Sequence, residues 1–401
     1  MKVGYAQNII TPSVDRPVFL AGFGNDRRAK SVHDDLTVRA LAIQSNQTTL
    51  VLTAIDLIGL FNPDIEDVRE ALGISETFQN LNPHVIIAST HTHHGPDTAG
   101  LWGPNMKTRG VDTTYMSTTR EKIAQTILSS LVKLRPCEGM KATSVQVPGL
   151  VKNARNPEIL DDELTLLQFV GQNGIPLVTL FNFPCHPEVL WEHNPHISAD
   201  YPGSLRDEVE RQTGAPCIFF SGALGGMMTP DVKNHSFEEC EAMGKKLAEE
   251  GLKALGAVSS DQLSLISVLR KEIKVKLTNI LYKIAFRLKL LPDVRDRKGY
   301  VTTEVNLVRI GDLWFAGVPG ELLPKLGLQL KAWMKESGAN VTGVLGLANG
   351  WFGYIIPVED FKYPWNPFKP GEHYEETNSI GKGIASSVMD GIKNLTNGGK
   401  E

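Results

Sequence analysis

Short apolar runs rich in β-branched residues alternate with amphipathic helical segments along almost all of this 401-residue chain. That alternation limits the fold more than any other feature. Strand–helix–strand order builds layered α/β architectures, in which helices cover the faces of a sheet. Residues 36–43, 49–58, 85–90, 163–170, 176–183, 217–220, 263–277, 301–308, 312–318 and 341–347 read as strands. Residues 63–72, 118–134, 202–213, 237–255 and 379–393 read as helices, and another follows Glu321 to about Ser337. The expected fold class is α/β: one large mixed β-sheet core flanked by helices. A single domain is expected over 1–401, with a basic amphipathic insertion near 279–299. No internal repeat is evident. The Pro- and aromatic-rich stretch 361–373 reads as a long loop, a kind that usually serves function.

Composition excludes several classes. The formal charge of −4 lacks the basic balance of nucleic-acid binders, so no nucleic-acid partner is expected. Four cysteines, Cys137, Cys185, Cys217 and Cys240, contain no CxxC pair. They make neither a disulfide scaffold nor a thiolate zinc cluster, and read as buried or free thiols. The N-terminus lacks the apolar core of a secretory signal, and no stretch nears the ~18 apolar residues of a spanning helix. A cytoplasmic location is expected. Within 279–292, Ile280, Leu281, Ile284, Ala285, Leu288 and Leu291 follow helical spacing beside Lys283, Arg287 and Lys289. Such a helix suits a peripheral membrane contact or an apolar lid. It equally suits a helix packed on the core with snorkelling lysines.

The histidines are clustered. The apolar run 85–90 leads straight into His91-Thr92-His93-His94-Gly95-Pro96. In a continuing strand, positions i and i+2 share a face, so His91 and His93 are expected side by side with Thr92 pointing away. Open α/β sheets bind ligands beyond the carboxyl ends of their strands. The strand 176–183 similarly leads into Pro184-Cys185-His186-Pro187. Three imidazoles at strand ends suit a catalytic zinc, which keeps one position open. Glu321 ends the run Val318-Pro319-Gly320-Glu321 and opens a helix, a position a glutamate also favours for the helix dipole alone. Tyr354 and Tyr374 are candidates for a ligand or an oxyanion donor, or are packing tyrosines.

Taken together, these segments resemble the neutral/alkaline, non-lysosomal ceramidases. The run Ser89-Thr90-His91-Thr92-His93-His94-Gly95-Pro96 is similar to that family's THTHSGP signature. So are Gly4…Ile10-Thr11-Pro12, Ala21-Gly22-Phe23-Gly24, and Val32-His33-Asp34-Asp35-Leu36, which resemble its opening. Pro184-Cys185-His186-Pro187 with Ile197–Gly203 resembles its second histidine block. Val318–Glu321 and Gly346–Asn349…Tyr354…Tyr374-Glu375 resemble its glutamate and tyrosine blocks. The blocks keep family order from about Gly4 to Asn394.

The resemblance implies one Zn2+ per chain held by His91, His186, Glu321 and Tyr354. It implies that His93 contacts substrate or moves protons, that Tyr374 hydrogen-bonds the oxyanion, that Arg155 is a polar group of the pocket, and that Asp56 and Asp200 support the site from behind. Where the family carries GDVSP, with a serine proposed as catalytic, this chain reads Gly226-Met227-Met228-Thr229-Pro230. Thr229 is therefore carried as a catalytic candidate. The resemblance extends over the catalytic domain, and no counterpart of the family's C-terminal immunoglobulin-like domain is expected in this chain.

The expected chemistry is hydrolysis of an acyl bond, amide or ester, of a lipid-like or other hydrophobic acylated small molecule by metal-activated water. Alternatives are a carboxylesterase or amidase on small non-sphingolipid substrates, and a non-catalytic lipid-binding relative with Met227-Met228 as pocket floor. A further rival is a nucleophile enzyme using Thr229 or Ser221, although Ser221 lacks a GxSxG elbow. Met227, Met228, Trp102, Trp351, Phe352 and Trp365 suggest an apolar pocket.

Overall fold

The β-branched runs do form strands, but they do not join into one sheet. The computed structural model describes residues 1–260, 265–362 and 374–397. The expected strand at 263–277 begins at Ile266 (Ile266–Lys276), and Leu263 lies outside the described residues. Among the described residues three principal sheets form, with three two-stranded ladders beside them. The first runs His84–Ser89, Thr48–Ile55, Thr37–Ser45, Lys2–Ile9, with Arg135–Pro136 at its edge. The second runs Cys217–Ser221, Pro176–Phe183, Glu163–Val170, Gly139–Gln146. The third runs Val341–Leu345, Leu313–Gly317, Tyr300–Ile310, Ile266–Lys276.

These sheets share one plan. In each, three antiparallel strands are followed by a helical crossover to a fourth strand, which lies parallel to the third. A parallel neighbour requires such a crossover. The crossovers are Asn62–Gly73 with Glu76–Leu81, then Tyr201–Thr213, then Pro324–Glu336. A second helix then folds back on the first two strands of its own sheet: Thr113–Val132, Phe237–Ala257 and Gly383–Asn397. The order β-β-β-α-β-α thus occurs three times, over about residues 2–132, 139–257 and 266–397. The expectation of no internal repeat is corrected. The repeat lives in the order of elements, and no residue period accompanies it.

One apolar core is common to the three sheets. Leu41, Leu52 and Ile86 of the first meet Leu167, Leu180 and Phe220 of the second, and Val308, Phe315 and Leu345 of the third. The helices cover the outer faces through Val68, Ile123 and Ile127 on the first sheet, and through Leu205, Leu247, Leu330 and Val388 on the others. All four cysteines are buried free thiols, as expected. No helix among the described residues is long and apolar enough to cross a membrane.

Each unit also carries an excursion between its first and second strands: 10–36, 147–162 and 277–299. The third contains the helix Ile280–Arg287, at the expected amphipathic insertion. Asn279 caps it by accepting the amide of Leu281. The insertion therefore occupies a place that the other units fill with their own excursions.

Candidate metal centre

The site forms where the parallel strand pairs end. In the first unit the strand stops at Ser89, and the chain turns sharply, with His91 at φ 72°. Left-handed backbone in a non-glycine residue is strain that surrounding contacts must hold. The strand-alternation argument for His91 and His93 therefore fails, because both lie past the strand. Their rings nonetheless meet, 5.0 Å apart and nearly perpendicular. Thr92 turns away and donates to the carbonyl of Ser198 at 2.8 Å. Behind this turn, Asp56 accepts from Thr90, from Thr37 and, through both oxygens, from Arg206. Burial works to raise the Asp56 carboxyl, but the Arg206 guanidinium outweighs it and holds the group below its ordinary range.

In the second unit Phe183 is followed by Pro184-Cys185-His186. His186 Nδ1 lies 3.0 Å from the carbonyl of Met228, and His91 Nδ1 bonds the carbonyl of Ile58. A carbonyl can only accept, so both Nδ1 atoms carry the proton and both Nε2 atoms are left as acceptors. In the third unit, the short strand Glu321–Leu322 pairs in parallel with Tyr354–Ile355, which sets Glu321 directly opposite Tyr354. Trp351 Nε1 donates to Glu321 Oε1 at 2.9 Å. Glu321 Oε2 lies 3.5 Å from Nε2 of both His91 and His186.

These atoms fit a cation. Four ligands placed tetrahedrally at the ~2.0–2.2 Å of zinc–nitrogen and zinc–oxygen bonds stand ~3.3–3.6 Å from one another. The carboxylate-to-imidazole separations have that value. Glu321 Oε2 and His186 Nε2 are buried without a hydrogen-bond partner among the described residues. Buried polar atoms normally find partners, and a group of orphans turned on one point is what metal ligands look like without their ion. The other imidazole nitrogens are already fixed by carbonyls, as metal-binding histidines require. One ring nitrogen of His93 also lies within 4.8 Å of the ligand atoms of His91 and His186. Burial would raise Glu321, but His91 and His186 draw its carboxyl well below the ordinary range. Burial would lower His186, but Glu188 and Glu321 hold its imidazole above the usual value. Burial lowers His93 to about 4 despite the pull of Glu188.

The remaining candidates divide. Tyr354 is buried beside Glu321, its hydroxyl 3.3 Å from Met227 Sδ. Burial pushes its phenol well above the ordinary range. Tyr374 stands at the rim, its ring 6.0 Å from that of Tyr354. Arg155 is drawn elsewhere. Its guanidinium is held by Glu375 and Glu376 and by the carbonyl of Asp360, and it borders a separate cavity with Asn153 and Lys325. Thr229 lies buried in the short strand Met228–Pro230, which pairs with Val151–Asn153. Asp200 accepts the amides of Val189, Leu190 and Tyr201, and so fixes the loop after His186. Ser221 donates to the carbonyl of Thr90 at 2.6 Å, which engages its hydroxyl in packing the strand end.

Two contributors were not assigned their parts from sequence. Trp351 was read only as a pocket aromatic, yet it holds the Glu321 carboxylate. Glu188 was not singled out at all. It is wholly buried, with Oε2 3.1 Å from His93 Nδ1. Its sequence signal was an acid two residues past a strand-end histidine, inside an otherwise apolar run. Ile58, Phe61, Leu101, Trp102, Leu291 and Trp351 give the cleft an apolar wall. Phe61, Trp351 and Trp102 stack in series, at 5.7 and 6.1 Å. Gly59 permits this, because a Cβ there would come within 2.4 Å of the Trp351 ring. Trp365 and residues 363–373 of the expected loop lie outside the described residues.

No protein-family profile matches the chain, and no curated protein matches it by sequence. Solved structures do. The neutral ceramidase of Pseudomonas aeruginosa superposes with a TM-score of 0.78 at 18% identity, covering 98% of this chain and 74% of that one. A ceramidase structure described as complexed with C2 superposes with a TM-score of 0.79 at 16% identity, over the same shares. The chain therefore has the neutral ceramidase fold, in line with the resemblance read from its motifs.

Proposed function

We propose that this chain is a zinc-dependent hydrolase of ceramidase type, cleaving an amide or ester bond of a hydrophobic acylated small molecule. One observation carries the reading: a buried carboxylate oxygen equidistant from two imidazole nitrogens whose protons are committed elsewhere. The fold shared with ceramidases and the apolar wall beside that point support it. In this reading His91, His186 and Glu321 hold the ion, and the buried Tyr354 hydroxyl completes the set. When bound, the ion supplies Lewis acidity toward the acyl oxygen and lowers the pKa of water from ~15.7 to ~7. His93, beside this centre, accepts a proton and returns it to the leaving group, worth ~10²–10⁴-fold for a well-placed group. Tyr374 reaches in from the rim as an oxyanion donor, of the order of 3–4 kcal/mol. Phe61, Trp102 and Trp351 pack the acyl portion.

A lipid surface belongs to the same proposal. In the helix Ile280–Arg287, Tyr282 faces the cleft. Ile280 and Ile284, with Leu288 just beyond, are exposed beside the exposed Lys283 and Arg287. An apolar stripe edged with cations suits an anionic interface. The test is metal content of the purified protein, followed by a screen of N-acyl and ester substrates before and after chelation. Stoichiometric zinc with chelator-sensitive acyl hydrolysis is the expected result. A protein that takes no metal when it is supplied, or whose hydrolysis survives its removal, refutes the reading.

A further inference from the structure

We propose that Glu188 is the positioning carboxylate for His93, a part that rests on the hydrolase reading above. His93 is tightly packed wherever it does not face the cleft. Gly22, at φ +100°, lies against the ring so closely that a Cβ would sit 2.4 Å from His93 Cγ. The Phe23 ring meets it edge-on at 5.0 Å, and the His186 ring at 5.5 Å. The His93 amide donates to the carbonyl of Pro187 at 3.1 Å, which ties the backbone of His93 to the residue next to Glu188. A ring so held cannot swing to find partners, so its hydrogen-bonding depends on which nitrogen carries the proton.

Glu188 Oε2 stands 3.1 Å from Nδ1. The contact is in hydrogen-bond range but poorly aligned, and neither carboxylate oxygen makes a well-formed bond. Catalytic hydrogen bonds commonly align only in the loaded complex. An ionised carboxylate can only accept, so it selects the tautomer protonated on Nδ1 and leaves Nε2 as the acceptor. His93 Nε2 is buried and has no partner among the described residues. This bears on one departure from the family motif. The residue in place of its aspartate, Met227, takes the Tyr354 hydroxyl on sulfur, and a carboxylate enters the site from position 188 instead.

The step this serves balances simply. Water adds to the acyl carbon and gives one proton to His93 Nε2. The carbon–nitrogen bond then breaks, the amine departs with that proton, and the acid remains.

The test uses zinc-loaded protein and the variants Glu188→Ala, Glu188→Gln and Thr229→Val. Glu188→Ala is expected to keep its metal and a KM within about threefold. Its kcat on an N-acyl amide should fall about 10²–10³-fold, the size of a positioned acid–base contribution. An ester with a phenolate leaving group, which needs no proton to depart, should lose less than about tenfold. Imidazole nitrogen spectra should show His93 protonated on Nδ1 in the wild type and a tautomer mixture in Glu188→Ala. Glu188→Gln keeps an acceptor and should regain at least about tenfold on the amide. Thr229→Val should stay within about tenfold of wild type, whereas a nucleophilic threonine would lose all turnover.

Equal losses on amide and ester, an unchanged nitrogen spectrum, or metal loss in Glu188→Ala overturns the assignment, the last by making Glu188 a ligand. If Glu188→Ala does not fold, the spectrum and amide rate of Glu188→Gln decide on the same terms. A wild-type protein that hydrolyses no acyl substrate sinks the hydrolase reading instead, and the spectrum still shows whether Glu188 sets the tautomer.

Discussion

Trp351→Phe separates the holding of the metal carboxylate from the packing around it. The indole N–H is the donor to Glu321 Oε1, at 2.9 Å, and both side chains are buried. Phenylalanine keeps a ring between Phe61 and Trp102 but has no donor. A hydrogen bond to a charged group contributes about 1.5–3 kcal/mol, and a buried acceptor left without its donor loses all of that. At 1.4 kcal/mol per tenfold, the carboxylate should hold its ion roughly 10–150-fold more weakly. That range matches the ~10–100-fold typical of lost outer hydrogen bonds at metal sites. The assay is a competition titration of zinc against a chelator of known affinity. Trp102→Phe is the control. It disturbs the same stack, since Trp102 and Trp351 lie parallel at 6.1 Å, but it removes no donor from Glu321. Its thermal midpoint should fall while its zinc affinity stays within about twofold. Equal zinc affinity in Trp351→Phe and wild type, or equal losses in both variants, would refute the claim that the indole orients the carboxylate.

His91→Ala and His186→Ala should each lose both zinc and turnover, and stoichiometric zinc in both would remove the ligand assignment. His93→Ala should keep zinc and lose about 10²–10⁴-fold in rate, whereas metal loss there would make it a ligand. Replacing Ile280, Ile284 and Leu288 with aspartate should weaken binding to anionic vesicles and reduce turnover of long-chain substrates more than short ones. Equal loss across chain lengths would mark the helix as only structural. Arg206→Met strands the buried Asp56 carboxylate and should cost about 3–5 kcal/mol by denaturant titration at neutral pH. In the wild type, Asp56 has a folded-state pKa below its unfolded value of ~3.9. Its contribution is therefore complete above that pH and disappears as pH falls through the folded value. Arg206→Met should lack this acid-side loss, and the same acid profile in both proteins would rule out the pair as its source.

The elements were legible because strands and helices announce themselves locally. The strands Glu163–Val170 and Pro176–Phe183 start and stop where their apolar runs do. Lys2–Ile9 and Gly139–Gln146 were not read as strands, and both begin the fourfold order of their sheets. Their sequences, KVGYAQNI and GMKATSVQ, mix polar and small residues, because each is the outer antiparallel strand of its unit's four and is only partly buried. Without those two, the threefold plan cannot be seen, and the strands look like members of a single sheet.

The site was legible for a different reason, and only in part. His91, His186 and Glu321 each follow a buried strand, and a strand end is visible in sequence. That these three ends meet is a consequence of the threefold order. Each unit has one parallel pair, and all three pairs deliver their C-terminal ends to one place. Glu188 escaped because nothing local distinguishes an acid that faces His93 from an acid on a surface loop. Its meaning comes from the Pro187 carbonyl that binds the His93 amide, a contact across 94 positions of chain. The same order accounts for the excursions. Gly22 in the first, Asn153 in the second and Tyr282 in the third occupy equivalent gaps between outer strands. Gly22 and Tyr282 line the cleft, while Asn153 lines the separate cavity with Arg155. The strand ends are bound to the core shared by the three sheets and can vary little, whereas the excursions stand outside that core. Differences in substrate among chains of this fold should therefore concentrate in 10–36, 147–162 and 277–299. Exchanging the 277–299 segment for that of a ceramidase should change chain-length preference without changing zinc affinity, and a swap that weakens zinc binding would show that the excursion and the metal centre are not separable.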